Sequence, residues 1–172
     1  MTLLEFRSRL LGSGLSDILL PGFIDQDETP VRFRSTPQIV YFECNSVYLK
    51  MEVISTTGSM RLSIDDKIEV PVQIEEEDMT AAVTSMREQY VDDSDGGNDL
   101  SAIRLWNVTE DDTGLRCAAA QLDLVNGQQI FVDPTYHFGI RIGGSRQRDI
   151  WCENWPAAER ALEQVVSFTD AR

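Results

Sequence analysis

The residues best equipped for chemistry in this chain are its single histidine, His137, and its three cysteines, Cys44, Cys117 and Cys152. A thiol attacks only as the thiolate, so it needs a base to take its proton and a third group to orient that base. His137 is the one imidazole that can serve, and Asp133 lies four residues before it. That constellation would describe a small hydrolase or transferase. Against it, Cys44 and Cys117 sit inside strand patterns, where cysteine behaves as a small hydrophobe. His137, between Tyr136 and Phe138, has the setting of a packed side chain with one hydrogen bond. No recognisable cysteine signature surrounds any of the three.

Other stretches suggest ligands and then fail the detailed pattern. Asp92-Asp93-Ser94-Asp95-Gly96-Gly97-Asn98-Asp99 invites calcium, which in an EF-hand needs oxygen ligands at positions 1, 3 and 5, glycine at 6 and glutamate at 12. Counted from Asp93, position 3 is Asp95, but 5 is Gly97, 6 is Asn98 and 12 is Arg104. A solvated polar loop is the better reading. Gly143-Gly144-Ser145-Arg146-Gln147-Arg148 offers backbone amides and two guanidinium groups to a phosphate or carboxylate. It matches neither the Walker pattern nor the dinucleotide fingerprint, so it reads as a surface turn, or as arginines paired with the chain's own acids. With 29 acids, carboxylate pairs occur everywhere and single out no site. Trp106, Trp151 and Trp155 suit a core, or a partner if exposed. No metal or cofactor is implied.

What remains is charge. Fifteen bases against 29 acids leave −14, and residues 75–112 alone hold 12 acids against Arg87 and Arg104, net −10. Such a field repels nucleic acid and anionic membranes, favours a basic protein partner and speeds its encounter at low salt. Glu75, Glu76, Glu77, Asp78, Asp92, Asp93 and Asp95 are the candidate partner-binding residues. The length of 172 residues suits one α+β domain over 1–172. No apolar run reaches the ~18 residues of a membrane span. The charged residues Glu5, Arg7 and Arg9 interrupt the apolar start that a secretory leader needs. An odd, scattered cysteine set argues against a disulfide framework, so the expected setting is the reduced cytoplasm.

The elements that must position these groups follow from hydrophobic period. Thr2 and Glu5 form a capping box before Leu3, Phe6 and Leu10, with Gly12 as the stop. Residues 13–37, with Pro21, Gly22, Pro30 and Pro37, read as an irregular connection with a turn of helix near Asp17–Leu20. Ile39–Cys44, the alternating Val47–Val53, then Met60, Leu62 and Ile64, then Ile68, Val70 and Val72 predict a meander of three or four strands, with a turn at Ser55–Gly58. Met79, Val83, Met86 and Tyr90 fall on one helical face, led by the acids of 75–78, which suit a helix N-terminus. Ile103–Val108 is a strand, followed by the turn Glu110–Gly114.

The strongest local signal is the hairpin around Asn126-Gly127. A two-residue turn would pair Leu122 with Phe131 and leave Asp123 opposite Ile130. A three-residue loop, Val125-Asn126-Gly127, pairs Leu122 with Ile130, Ala120 with Val132 and Asp123 with Gln129. Alternation favours the second, with Gly127 left-handed. Phe138–Ile142 adds a short strand. Asn154 and Pro156 then open a final helix with Ala158, Leu162 and Val165 on one face. The expected fold is therefore α+β: a mainly antiparallel sheet of about six to eight strands with N-terminal, middle and C-terminal helices.

The segment Leu122-Asp123-Leu124-Val125-Asn126-Gly127-Gln128-Gln129-Ile130-Phe131-Val132-Asp133-Pro134, followed by Phe138-Gly139-Ile140-Arg141-Ile142, resembles small bacterial proteins of the polymorphic-toxin immunity kind. In several of these a late hairpin ends in a hydrophobic-Pro step and a short Gly-Ile strand. The resemblance implies a non-enzymatic inhibitor that covers a toxin's active site. It assigns no role to particular positions. The sequence thus points to an acidic binding protein that covers a basic cleft. The alternatives are the His137 hydrolase or transferase and an adaptor or assembly domain whose acidity serves solubility.

Overall fold

The chain enters through helix α1 (Leu3–Leu10), and the expected capping box is present. Thr2 Oγ1 accepts the Glu5 amide at 3.2 Å while Glu5 Oε2 accepts the Thr2 amide at 2.8 Å. The two bonds satisfy amides that have no partner within the helix. Phe6 and Leu10 are buried beneath it. The computed structural model describes residues 1–54, 58–70, 78–92, 97–112, 114–135, 137–154 and 162–168.

Two antiparallel sheets follow. The first contains β1 (Leu15–Asp25), β2 (Arg32–Ser35), β3 (Ile39–Cys44), β4 (Val47–Ile54), β5 (Ser59–Asp65), β6 (Met79–Ser85), β8 (Thr109–Asp111) and β9 (Gly114–Cys117). Its order is β2-β1-β3-β4-β5-β9-β8, with β6 along β1. The second contains β7 (Leu100–Trp106), β10 (Ala119–Leu124), β11 (Gln129–Asp133), β12 (Arg141–Gly143) and β13 (Glu163–Ser167), ordered β12-β11-β10-β7-β13. Short α2 (Arg87–Tyr90) follows β6, and α3 (Ser145–Asn154) follows β12.

Alternation explains how the two sheets meet. Leu49, Met51, Met60 and Leu62 from the first join Ile103, Leu105, Ala120, Leu122, Ile130 and Val132 from the second in one buried cluster. These residues share parity along their strands, so each sheet turns one apolar face to the other. The opposite parity of the second sheet carries Trp106, Ala119 and Phe131, which α3 covers with Trp151. Trp106, Phe131 and Trp151 form a ring triangle with centroids 5.5 to 5.7 Å apart.

The hairpin register is the one that alternation selects. Leu122 faces Ile130, Ala120 faces Val132 and Asp123 faces Gln129. Gly127 has φ +89°, a conformation that costs other residues strain. The meander β3-β4-β5 is also as expected, with Met60, Leu62 and Ile64 buried in step. Its suggested fourth strand is not formed at Ile68 and Val70, and Val72 and the turn residues 55–57 lie outside the described residues.

Several expectations are corrected. The connection at 13–37 is largely strand, since β1 spans eleven residues and pairs with β3, β2 and β6. Pro21 is accommodated because its main-chain polar groups face away from β6, its carbonyl accepting the Thr36 amide at 2.7 Å, and its missing N–H falls between the β3 pairing that ends at Leu19 and the β2 pairing that begins at Gly22. Gly22 lets β2 approach, since a Cβ there would lie 2.1 Å from the Arg34 carbonyl oxygen. The predicted middle helix is β6 over Met79–Ser85, leaving one helical turn in α2. Thr80, Val83 and Thr84 are β-branched, and seven residue pairings with β1 outweigh the helical spacing. The final helix begins earlier than expected. Asn154 ends α3 rather than capping a new helix, Leu162 precedes a strand, and Val165 lies within β13; Ala158 is outside the described residues. The fold class stands as mostly antiparallel sheet with helices, but the expected single sheet of about six to eight strands is instead two sheets, of eight and five strands among the described residues, and the last described element is a strand.

Candidate functional site

Of the acidic candidates, Glu75, Glu76, Glu77, Asp93 and Asp95 lie outside the described residues, while Asp78 and Asp92 are described and exposed. Asp78 leads into β6, and its carbonyl accepts the Gln26 amide at 3.0 Å, where Met79 pairs with Asp25. This groups Asp78 with the acids at the end of β1. Asp92 follows α2 beyond the other end of β6. Its amide donates to Gln128 Oε1 at 3.0 Å and its carbonyl accepts Asn126 Nδ2 at 3.4 Å, tying it to the late hairpin. Seven strand residues at ~3.3 Å each place about 23 Å between the two ends of β6. The third acidic piece, Glu110–Asp112, lies on β8 and the turn after it, β8 being the outermost strand on the opposite side of the same sheet. The described acids therefore border the molecule at three places.

The members of the histidine constellation sit in different settings. Asp133 is buried, with Oδ1 accepting the Thr135 amide at 2.9 Å and the Thr135 hydroxyl at 2.6 Å, and Oδ2 accepting Gln147 Nε2 at 2.8 Å. Those bonds fasten the end of β11 to α3. His137 is exposed, its ring edge-on to Phe138 with centroids 4.9 Å apart. Cys44 and Cys117 lie in the main core. Burial pushes the Cys44 thiol up to about 12 and Cys117 upward as well, because a thiolate there would lose its hydration. Cys152 is half-buried on α3. Among the described residues no group of three or more His, Cys, Asp or Glu is gathered as a metal site requires.

The glycine-arginine stretch runs from the end of β12 through a bend at Gly144 into the first turn of α3 at Ser145–Arg148. Arg146 is exposed, while Arg148 reaches Gln121 Oε1 at 3.5 Å and Asp149 at 3.3 Å. Trp106 and Trp151 are core residues, and Trp155 lies outside the described residues.

Sequence reasoning missed a polar network on the outer face of the second sheet. Asp123 Oδ2 accepts Arg104 Nε at 2.6 Å, and Asp123 Oδ1 accepts Gln121 Nε2 at 2.6 Å. Arg104 Nη1 continues to Glu163 Oε1 at 2.8 Å, linking β10, β7 and β13. The two carboxylates, Glu163 first, raise the Arg104 guanidinium above its ordinary value. A signal was present: Gln121 and Asp123 occupy the parity opposite Leu122 and Leu124, inside a strand that proves buried on both faces.

Comparison with family models, curated proteins and solved structures finds no match to this chain. The fold and surface by themselves define an acidic, two-sheet antiparallel α+β protein. No helix among the described residues is long and apolar enough to cross a membrane.

Proposed function

We propose that the chain is a non-enzymatic binding protein for a basic protein surface, most specifically an immunity-type inhibitor that covers the basic active-site cleft of a bacterial toxin. The observation that carries this is the unbalanced charge. The formal charge is −14, and much of the basic complement is turned onto the fold's own acids. Arg9 meets Asp66 at 2.8 Å, Arg34 meets Glu28, Lys50 meets Glu52 at 3.3 Å and Arg116 meets Asp111 at 3.2 Å. Arg104 meets both Asp123 and Glu163. Such pairs add little stability where exposed, yet they cancel positive charge locally and leave a negative surplus. A basic partner gains encounter rate from that field and affinity from nearby apolar surface.

The test is protection of a host that expresses the last domain of a large secreted protein encoded immediately upstream. Co-expression of this chain should restore growth. Reversing Glu75, Glu76, Glu77 and Asp78 to lysine should remove protection and flatten the salt dependence of binding measured by calorimetry. Unchanged protection and an unchanged salt slope would overturn the proposal.

A further inference from the structure

We infer that the open edge of β13, with the groove between it and α1, is the docking site for an extended basic segment of the partner, added to the second sheet as a sixth strand. This rests on the reading of the partner as a basic protein.

Among the described residues β13 is paired on one side only. The Asn107 amide donates to the Leu162 carbonyl at 3.0 Å and the Phe168 amide to the Ser101 carbonyl at 2.9 Å. Those bonds set residues 162, 164, 166 and 168 toward β7, and alternation turns the backbone groups of Glu163, Val165 and Ser167 away from it. One outward group shows the direction directly: the Ser167 carbonyl accepts Arg7 Nε from α1 at 2.9 Å. Among the described residues no strand pairs the outer side of Glu163 and Val165.

Beside this edge runs a groove of about 570 Å³, with Leu3, Leu4 and Val165 among its apolar lining and Glu110 on it. Leu4 is 75% exposed and Val165 50% exposed. Sheet edges are normally blunted by lysine, proline or a bulge, because an open row of amides and carbonyls recruits other strands. Leu162-Glu163-Gln164-Val165-Val166-Ser167-Phe168 contains no lysine or proline. Strand addition would supply main-chain hydrogen bonds for affinity, while alternate side chains entering the groove would set specificity.

Charge selects the occupant. A second copy would bring another −14 against the first, with Glu110 of each chain at the shared groove. Like charges across paired strands oppose that arrangement. A segment alternating basic and apolar residues meets Glu110 with opposite charge and Leu4 and Val165 with apolar contact, inside the wider field of the −14 chain, while the Glu163 carboxylate stays with Arg104. Arg7, the cation of the groove, already has its Nε committed to Ser167.

The probe is a fluorophore-labelled peptide, Lys-Val-Lys-Val-Lys-Val, with Glu-Val-Glu-Val-Glu-Val and an alternately N-methylated lysine peptide as controls. The full chain should bind the basic peptide, bind neither control, and show slowed hydrogen exchange at the Val165 amide. Val165→Pro removes an outward N–H without touching the β7 ladder, and should weaken binding about three- to tenfold. Leu4→Lys, at an exposed position, should weaken it comparably. If Val165→Pro fails to fold by circular dichroism, Leu4→Lys and the methylated peptide decide. No binding of the basic peptide at millimolar concentration, equal binding of the acidic one, or wild-type affinity in the folded variants would overturn the site. So would a dimer in sedimentation that Val165→Pro dissolves, which assigns the edge to a second copy. Growth protection that survives both groove variants but is lost on reversing residues 75–78 removes this site and keeps the basic partner. Protection indifferent to both sets removes both.

Discussion

Replacing Asp123 by alanine tests whether the network beneath the outer face of the second sheet holds its strands together. The carboxylate is 12% exposed and accepts Arg104 Nε and Gln121 Nε2, each at 2.6 Å. A hydrogen bond to a charged group contributes about 1.5–3 kcal/mol when shielded. Arg104 is 38% exposed, so the lower end applies to that bond. Gln121 is fully buried, and its stranded amide adds about 1–2 kcal/mol. The expected loss is about 3 kcal/mol, measured by urea unfolding. Arg104→Met should cost about 2 kcal/mol, since Asp123 then keeps only Gln121 against its buried charge. The two changes share one contact, so the double variant should be more stable than additivity predicts by about 1 kcal/mol. An Asp123→Ala loss below about 0.5 kcal/mol, or strict additivity, would refute the reasoning.

Gly22→Ala should destabilise by about 1–3 kcal/mol in thermal unfolding, because the new methyl meets the Arg34 carbonyl at 2.1 Å and β2 must move. Native protein should show one thiol, Cys152, reacting readily with a disulfide reagent, while Cys44 and Cys117 react only on unfolding; their buried thiols resist ionisation. The hydrogen bonds from Thr2 hold the Glu5 carboxyl below its ordinary value of 4.5. A depressed carboxylate stabilises above its unfolded value and loses that contribution as pH falls through its folded value. Glu5→Ala, which removes the carboxylate that accepts the Thr2 amide, should therefore destabilise at neutral pH, and its deficit should shrink below about pH 4 in a pH series of melting temperatures.

How far the sequence disclosed the fold depended on whether a residue's neighbours were local. The capping box of α1 involves residues three apart, and the late hairpin closes over three residues, so both were legible to the pairing. The meander was legible because Leu49, Met51, Met60 and Leu62 each alternate against an adjacent strand. β6 was not, because its partner β1 lies some sixty residues earlier and its own spacing fits a helix as well as a strand. Val165 was misplaced for the same reason. Its shared spacing with Leu162 suits a helical face, whereas β7, nearly sixty residues away, fixes it in a sheet.

The candidate site follows the same logic one level higher. Composition alone places the charge, and the acidic segments were legible as segments. Their relative positions were not, because β6 carries Asp78 and Asp92 to opposite ends and the sheet order sends Glu110 to another edge. On the proposed reading, an acidic surface spread this way steers a basic partner from several directions without defining one contact. Strand addition needs backbone groups without a sheet partner, and those arise where sheet order ends. Edge position is a property of the whole topology, so the seven residues 162–168 look ordinary in sequence. β13 has edge position, the apolar flank of Leu4 and Val165, and Glu110 on the same groove. Steering by the distributed acids and capture at that edge are separable: salt should change the first, and Val165→Pro the second.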